Sequence, residues 1–261
     1  MTGAAVPADS RWDDRRRRGA ELTRRYPFAA EVLRLHGALL DVQEPAFART
    51  PPLAGIDAVA AHAAAAVLPG VVEATVAAGP DLLAEQAWSR MEQGGLAALV
   101  HGWLVGEEQS HLDRYLARAA ASPVLEALGE LLIPAAEVDA RHCPRCGGRP
   151  QLAVIEPGEA LSGSRRRLVC SRCLAAWAYP RMVCAGCGET DSRLLPIYEE
   201  GDWIPHARVE GCESCRRYLI SVDLRKDAEA VPPVDELAAM PLALHAESLG
   251  LGKIVPNLMG L

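Results

Sequence analysis

The sequence predicts a mainly α N-terminal helical bundle, followed by two tandem small-β metal modules and a C-terminal helix. Three observations lead there. Amphipathic, Ala-rich stripes fill the N-terminal half, and its first 142 positions hold no cysteine. All eight cysteines then fall between Cys143 and Cys215, as four C-x-x-C pairs. In the same stretch, strand-sized apolar runs replace the helical stripes.

At 261 residues the chain suits one large or two ordinary domains of roughly 100–200 residues each. Half the residues are apolar, which excludes wholesale disorder. The apolar run at 58–71 is broken by His62 and Gly70 and falls short of a span of about 18 uninterrupted apolar residues, so no membrane insertion is expected. Arg15, Arg16, Arg17 and Arg18 are followed by Glu21, Arg24 and Arg25, not by the apolar core of an export signal. A cytoplasmic, reducing setting is therefore expected. A net charge of −7 argues against general affinity for a polyanion.

Along the chain, residues 1–10 read as a flexible N-terminus and 11–140 as the helical domain. Within 28–42, Ala29, Val32, Leu33, Leu39 and Leu40 share one helical face. Leu82, Leu83, Ala87, Trp88 and Met91 form a second stripe that stops at Gly94 and Gly95. Ser122 and Pro123 are expected to cap and open a helix over 124–132. Arg17 and Arg18 are assigned to a solvated helix face. Strand-sized runs at 152–155, 168–169, 194–198 and 218–222 divide between a first metal module, 141–180, and a second, 181–226. After Val231-Pro232-Pro233 the helical pattern returns over 235–249, kinked or restarted by Pro241. This last segment, 227–261, is too short to fold alone and is expected to pack back on the rest. The helical domain is expected to stay folded when the first module is disrupted.

The cysteine pairs form an internal repeat. The first and third pairs start 41 residues apart, and the second and fourth 42. Two intervening residues let a tight turn aim both thiolates at one ion, and two such turns complete a tetrahedron. The repeat groups Cys143, Cys146, Cys170 and Cys173 as one ligand set, and Cys184, Cys187, Cys212 and Cys215 as the other; interleaved pairing stays open on spacing alone. Two tetrahedral metal ions per chain are expected, and four thiolates suit either zinc or a single rubredoxin-type iron. The close C-x-x-C-x-x-C run of the common bacterial iron–sulfur cluster is absent. A redox dithiol would be expected as one C-x-x-C beside a strand–helix–strand unit, not as four pairs. Gly147 and Gly188, directly after their pairs, can take the left-handed conformation such a turn needs.

Other candidates are weaker. His142 adjoins a set already complete with four sulfurs, and His36, His62, His101, His111 and His245 lack partners at ligand spacing. Trp177 and Tyr218 are expected to cap the metal cores. No phosphate-binding loop or nucleophile elbow is present, so no catalytic centre is proposed. Residues 141–226 hold 14 Lys or Arg against 10 Asp or Glu. Two divalent ions on eight thiolates would offset this by about −4, leaving the region nearly neutral. Arg165, Arg166 and Arg167 are accordingly expected to offset the first thiolate cage, not to contact phosphate, and nucleic acid is not an expected partner.

The combined order of these features resembles the formate dehydrogenase accessory protein family, of the FdhE type. The resemblance rests on Cys143-Pro144-Arg145-Cys146-Gly147, Leu168-Val169-Cys170-Ser171-Arg172-Cys173, Trp177, Arg181, Cys184-Ala185-Gly186-Cys187-Gly188, Tyr198, Cys212-Glu213-Ser214-Cys215 and Tyr218-Leu219. Weaker similarity extends from Arg25-Tyr26-Pro27 to Gln43, over Val234-Asp235-Glu236-Leu237-Ala238, and at Pro256-Asn257-Leu258-Met259-Gly260. Ile220 stands where the family pattern has a lysine. The resemblance implies tandem rubredoxin-like or zinc-ribbon-like modules able to hold iron, and a cytoplasmic role in producing active formate dehydrogenase through binding of its catalytic subunit. The alternatives are a zinc-ribbon nucleic-acid-binding regulator and a rubredoxin-like electron carrier.

Overall fold

The computed structural model describes residues 8–129, 139–158, 163–200 and 203–260. It shows the expected order: a helical N-terminal region, a small sheet carrying two cysteine groups, and C-terminal helices. The first region comprises α1 (Ala8–Arg25), α2 (Ala30–Arg49), α3 (Gly55–His62), α4 (Leu68–Ala78), α5 (Asp81–Glu92), α6 (Leu96–Val105) and α7 (His111–Leu128). Because α1 already begins at Ala8, the last three residues of the expected flexible N-terminus are helical; residues 1–7 lie outside the described residues.

Leu33, Leu39 and Leu40 of the first apolar stripe are buried, and α5 ends before Gly94 as its stripe requires. One local signal is overridden. Helix α7 runs through Ser122 and Pro123 without restarting, and its N-cap is Ser110, whose side chain accepts the Asp113 N–H. A proline inside a helix forfeits one backbone hydrogen bond. Burial of Leu116, Ala120, Val124 and Leu125 on both sides of it offsets that loss. Residues 130–132, the end of the expected 124–132 helix, and the expected boundary near 140 up to residue 138, lie outside the described residues.

The run Gly55–Ala78 also departs from expectation. A π-helical turn, Ala63–Val67, joins α3 to α4 into 24 helical residues, long and apolar enough by length and composition to cross a membrane. His62 and Gly70 interrupt the apolar run but not the helix. Val59, Ala63, Val67, Leu68, Val71 and Val72 are buried in the bundle core, with Leu39 of α2, Val100 of α6 and Leu116 of α7.

The sheet contains β1 (Pro150–Glu156), β2 (Arg165–Cys170), β3 (Ala176–Ala178), β4 (Ile197–Glu199), β5 (Ala207–Cys212), β6 (Arg217–Asp223) and β7 (Gly252–Lys253), in the order β3-β2-β1-β6-β5-β4 with β7 beside β6. Each cysteine repeat supplies an antiparallel triplet, and β1 pairs β6 in parallel from Leu152↔Ile220 to Ile155↔Asp223. The repeats are thus fused edge to edge into one sheet. The strand-sized run at 194–198 resolves into a 3₁₀ turn (Ser192–Leu194) and the short β4.

Helices α8 (Pro232–Ala238) and α9 (Met240–Ser248) break and restart around Pro241, as the sequence indicates. They pack back: Val234, Leu237, Leu242 and Ala246 cover Val209, Tyr218 and Ile220 of the sheet together with Leu22 and Leu33 of the helical region. Ile220, the departure from the family pattern, is therefore a core residue at 1% exposure.

Two buried polar networks tie the layers. Arg18 is not on a solvated face but 2% exposed. Its guanidinium donates to Asp235 of α8 at 2.6 Å and to Asp227 at 2.6 Å, and His206 Nε2 lies 2.7 Å from Asp235. In the second network Arg118 of α7 bonds Gln151 of β1, Gln151 bonds Glu236 of α8, and Glu236 pairs with Lys253 of β7. Burial pushes the Arg118 guanidinium down to about 10, against the opposing charges of Glu236 and Cys170.

Candidate metal centres

The first and third C-x-x-C pairs sit on knuckles with the same backbone wiring. Cys143 N–H donates to Gly148 O at 2.8 Å and Gly147 N–H to Cys143 O at 2.9 Å; Cys184 and Gly188 repeat both bonds with Glu189 O and Cys184 O at 2.9 Å. The residue after the second cysteine is left-handed in all four knuckles: Gly147 (φ 68°), Leu174 (φ 54°), Gly188 (φ 86°) and Arg216 (φ 55°). At Leu174 and Arg216 a Cβ bears the strain of roughly 1–2 kcal/mol that glycine avoids. The expected role of Gly147 and Gly188 is met, and the even knuckles adopt the same turn without glycine.

The knuckles meet in sequential pairs. In the first group Cys143 and Cys173 Sγ are 3.7 Å apart, and Cys146 Sγ lies 3.4 Å from both Cys170 and Cys173. In the second, Cys184–Cys215 and Cys187–Cys212 are each 3.7 Å apart. Zinc–sulfur bonds of about 2.3 Å in a tetrahedron put sulfurs roughly 3.8 Å apart, so both groups have the dimensions of a four-thiolate cage that could hold a metal ion. Neither group is linked by disulfides.

Chemistry supports the same reading. Within the first group protons distribute unevenly: hydrogen bonds from Cys146, Cys170 and Cys173 hold Cys143 well below the usual thiol range, while the same network pushes Cys146 and Cys170 well above it. Burial, then the charge of Cys184, likewise raises Cys215. Four buried sulfurs can all be thiolates only around a cation. Arg172 N–H and Gly186 N–H, at 3.3 Å from Cys170 Sγ and 3.2 Å from Cys184 Sγ, suit anionic sulfur.

The two cages differ in setting. All four sulfurs of the first are buried within the same apolar core as Leu99, Leu116 and Val124 of the helical region. In the second, Cys187 is exposed and Cys215 half-buried. The first is packed so closely that a Cβ added at Gly148 would stand 2.7 Å from Cys170 Sγ. Gly148→Ala should therefore speed metal loss from the first cage to a chromophoric chelator by about 10–100-fold, the usual effect of disturbing a metal's outer shell. Unchanged release would contradict the placement of that sulfur as a ligand.

Other expectations fare unevenly. Trp177 packs against the cluster containing the first cage, and its Nε1–H donates to Ala140 O. Tyr218 caps neither cage; it is fully buried against α8 and α9. Arg166 and Arg167 do not serve the first thiolates. Arg166 bonds Glu210 at 2.6 Å and the carbonyls of Pro180 and Val183, and Arg167 bonds Ala176 O and faces Glu156 at 3.6 Å. His142 and the helical histidines join no ligand group among the described residues. His206, which no spacing in the sequence singles out, joins Asp227 and Asp235 at ligand-like spacing. Arg18 already occupies the centre of that cluster as its cation, so it is an ion-pair core.

No family model matches the chain. It is 34% identical over 119 residues to the protein FdhE homolog of Aquifex aeolicus, a match covering 46% of this chain and 41% of that one. With the Pseudomonas putida FdhE homolog it shares 31% identity over 121 residues, 45% of this chain and 38% of the relative. The matches thus span about two fifths of these relatives' length. The whole fold superposes on the crystal structure of the FdhE protein from Pseudomonas aeruginosa with a TM-score of 0.71 at 22% identity, covering 95% of this chain and 94% of that one. Sequence matches over less than half of the chain, together with an architecture shared over nearly all of it, make the chain similar to FdhE proteins.

Proposed function

We propose that this chain is a non-catalytic accessory factor, acting in the cytoplasm, needed for active formate dehydrogenase and binding that enzyme's catalytic subunit through a metal-stabilised scaffold. The observation that carries the reading is the fusion of two four-cysteine cages into one sheet, in a chain whose relatives are named FdhE homologs. In this proposal Cys143, Cys146, Cys170 and Cys173 hold one ion, and Cys184, Cys187, Cys212 and Cys215 a second, each zinc or iron. The helical region, 11–140, and the returning segment, 227–261, brace modules 141–180 and 181–226. A metal in each cage supplies cross-linking, and iron would add one-electron chemistry.

Deleting the gene should leave the formate dehydrogenase catalytic subunit synthesised but poorly active, with activity restored by the wild-type chain and only weakly by Cys184→Ser/Cys187→Ser. Full activity in the deletion strain, in a host with no second copy, would overturn the assignment. Exposure of Cys187 favours a second reading, a rubredoxin-like electron carrier. Reversible reduction of bound iron at the rate of a partner's turnover would select it.

A further inference from the structure

The face of the sheet turned away from α8 and α9 carries an open groove of about 590 Å³ beside the second cage. Alternation along the strands builds it. Val209, Tyr218 and Ile220 face the helices, which sends Arg208, Glu210 and Leu219 to the opposite side. There Leu219, Leu195, Pro196 and Ile254 make an apolar floor, and the knuckle segment Arg181, Met182 and Val183 makes one wall. Ile197 of β4, the outermost strand, makes another. Met182 is 52% exposed and Ile197 46%.

Charge selects what this groove fits. Four arginines line it, Arg166, Arg181, Arg208 and Arg217, against one carboxylate, Glu210, although the chain as a whole carries −7. Glu210 is committed to Arg166 at 2.6 Å and Arg208 at 3.1 Å, and those two guanidinium charges hold its carboxyl below the usual range against strong burial. Arg181 and Arg217 are exposed and pair with no carboxylate among the described residues; they donate to Ser164 Oγ and Lys253 O. The Nε of Arg166 and of Arg208 are buried without an acceptor among the described residues. The groove thus has a surplus of cationic donors over an apolar floor, beside a sheet edge where an extended chain can lie.

We propose that this groove binds an extended segment of a partner protein in which a carboxylate side chain, met by Arg181 and Arg217, is flanked by apolar residues that seat on Leu219, Pro196 and Ile254. The identity of the partner as the formate dehydrogenase subunit rests on the function proposed above. The chemistry of the segment does not. The second cage holds the 181–187 wall in place, whereas the first lies in the helical core.

A displayed library of random heptapeptides, selected on the metal-loaded full chain, tests this. Selection should enrich sequences with Asp or Glu between apolar residues, and Arg181→Glu/Arg217→Glu should bind a fluorescein-labelled winner at least about tenfold more weakly. Both side chains are exposed and without carboxylate partners among the described residues, so unchanged far-ultraviolet circular dichroism and a metal content of two ions should accompany the loss. Enrichment without acidic residues, equal binding by the variant, or no enrichment at all would overturn the proposal. So would tighter, salt-sensitive binding of a labelled single-stranded oligonucleotide through the same arginines, which would make the groove a nucleic-acid site. None of these outcomes depends on whether the deletion strain loses formate dehydrogenase activity.

Discussion

Replacing Cys170 with serine should lower the thermal unfolding midpoint of the entire chain, helical signal included, far more than replacing Cys187. Cys170 is 0% exposed and shares one core with Leu99, Leu116 and Val124, so the first cage is a joint between sheet and bundle. Structural zinc in small domains contributes roughly 10–16 kcal/mol to folding, while whole domains are net stable by only about 5–15 kcal/mol. Loss of the first ion can therefore remove most of the chain's stability, and the helical region is not expected to ride out that loss, contrary to what its sequence alone suggests. Cys187 is exposed, and the effect of its loss should stay close to the 181–226 module. Far-ultraviolet circular dichroism melts of the two variants decide the matter. Equal destabilisation, or a Cys170→Ser melt with the helical transition intact, would refute the joint.

The second large effect is expected at Arg18. Arg18→Met leaves Asp235, with a fully buried side chain, facing His206 and Asp227 without its main cation. Breaking a buried pair in this way costs about 3–5 kcal/mol, and a paired Arg18→Met/Asp235→Leu change should recover part of it because the fully buried carboxylate is removed with its cation, leaving only the more accessible Asp227. The site should also register pH. Burial pushes the Asp227 carboxyl up, but the hydrogen bond and charge of Arg18 outweigh it, so its folded value lies below the unfolded one. Its stabilisation is therefore complete above the ordinary Asp value near 4 and lost as pH falls through the folded value. Urea unfolding of wild type should weaken across that acid window more steeply than that of Arg18→Met. Parallel profiles would show that Arg18 does not hold the carboxylates.

What the sequence discloses depends on how local each cause is. The cysteine knuckles, their left-handed glycines and the sequential pairing lie in short repeats, and the structure brings the same eight residues into two cages. The helical stripes and the restart at Pro241 are equally local. Arg18 is not legible as a core residue because its partner Asp235 is 217 residues away, and a run of four arginines reads as a solvated face until that partner arrives. His206 shares that non-local centre, its partner Asp235 lying 29 residues on. The parallel β1–β6 junction depends on strands from different repeats, which no spacing rule joins. At Ser122 and Pro123 the local signal was real but weaker than the burial of the residues around it.

Native mass spectrometry of anaerobically prepared protein tests the central claim most directly, with wild type compared with Cys143→Ser/Cys146→Ser and Cys184→Ser/Cys187→Ser. Two four-thiolate sites with sequential ligands predict two ions in wild type and one in each folded double variant. Combining both pairs of one cage, Cys184→Ser/Cys187→Ser with Cys212→Ser/Cys215→Ser, should still leave one ion. A single ion in fully loaded wild type, or loss of both ions when only that second cage is removed, would contradict it.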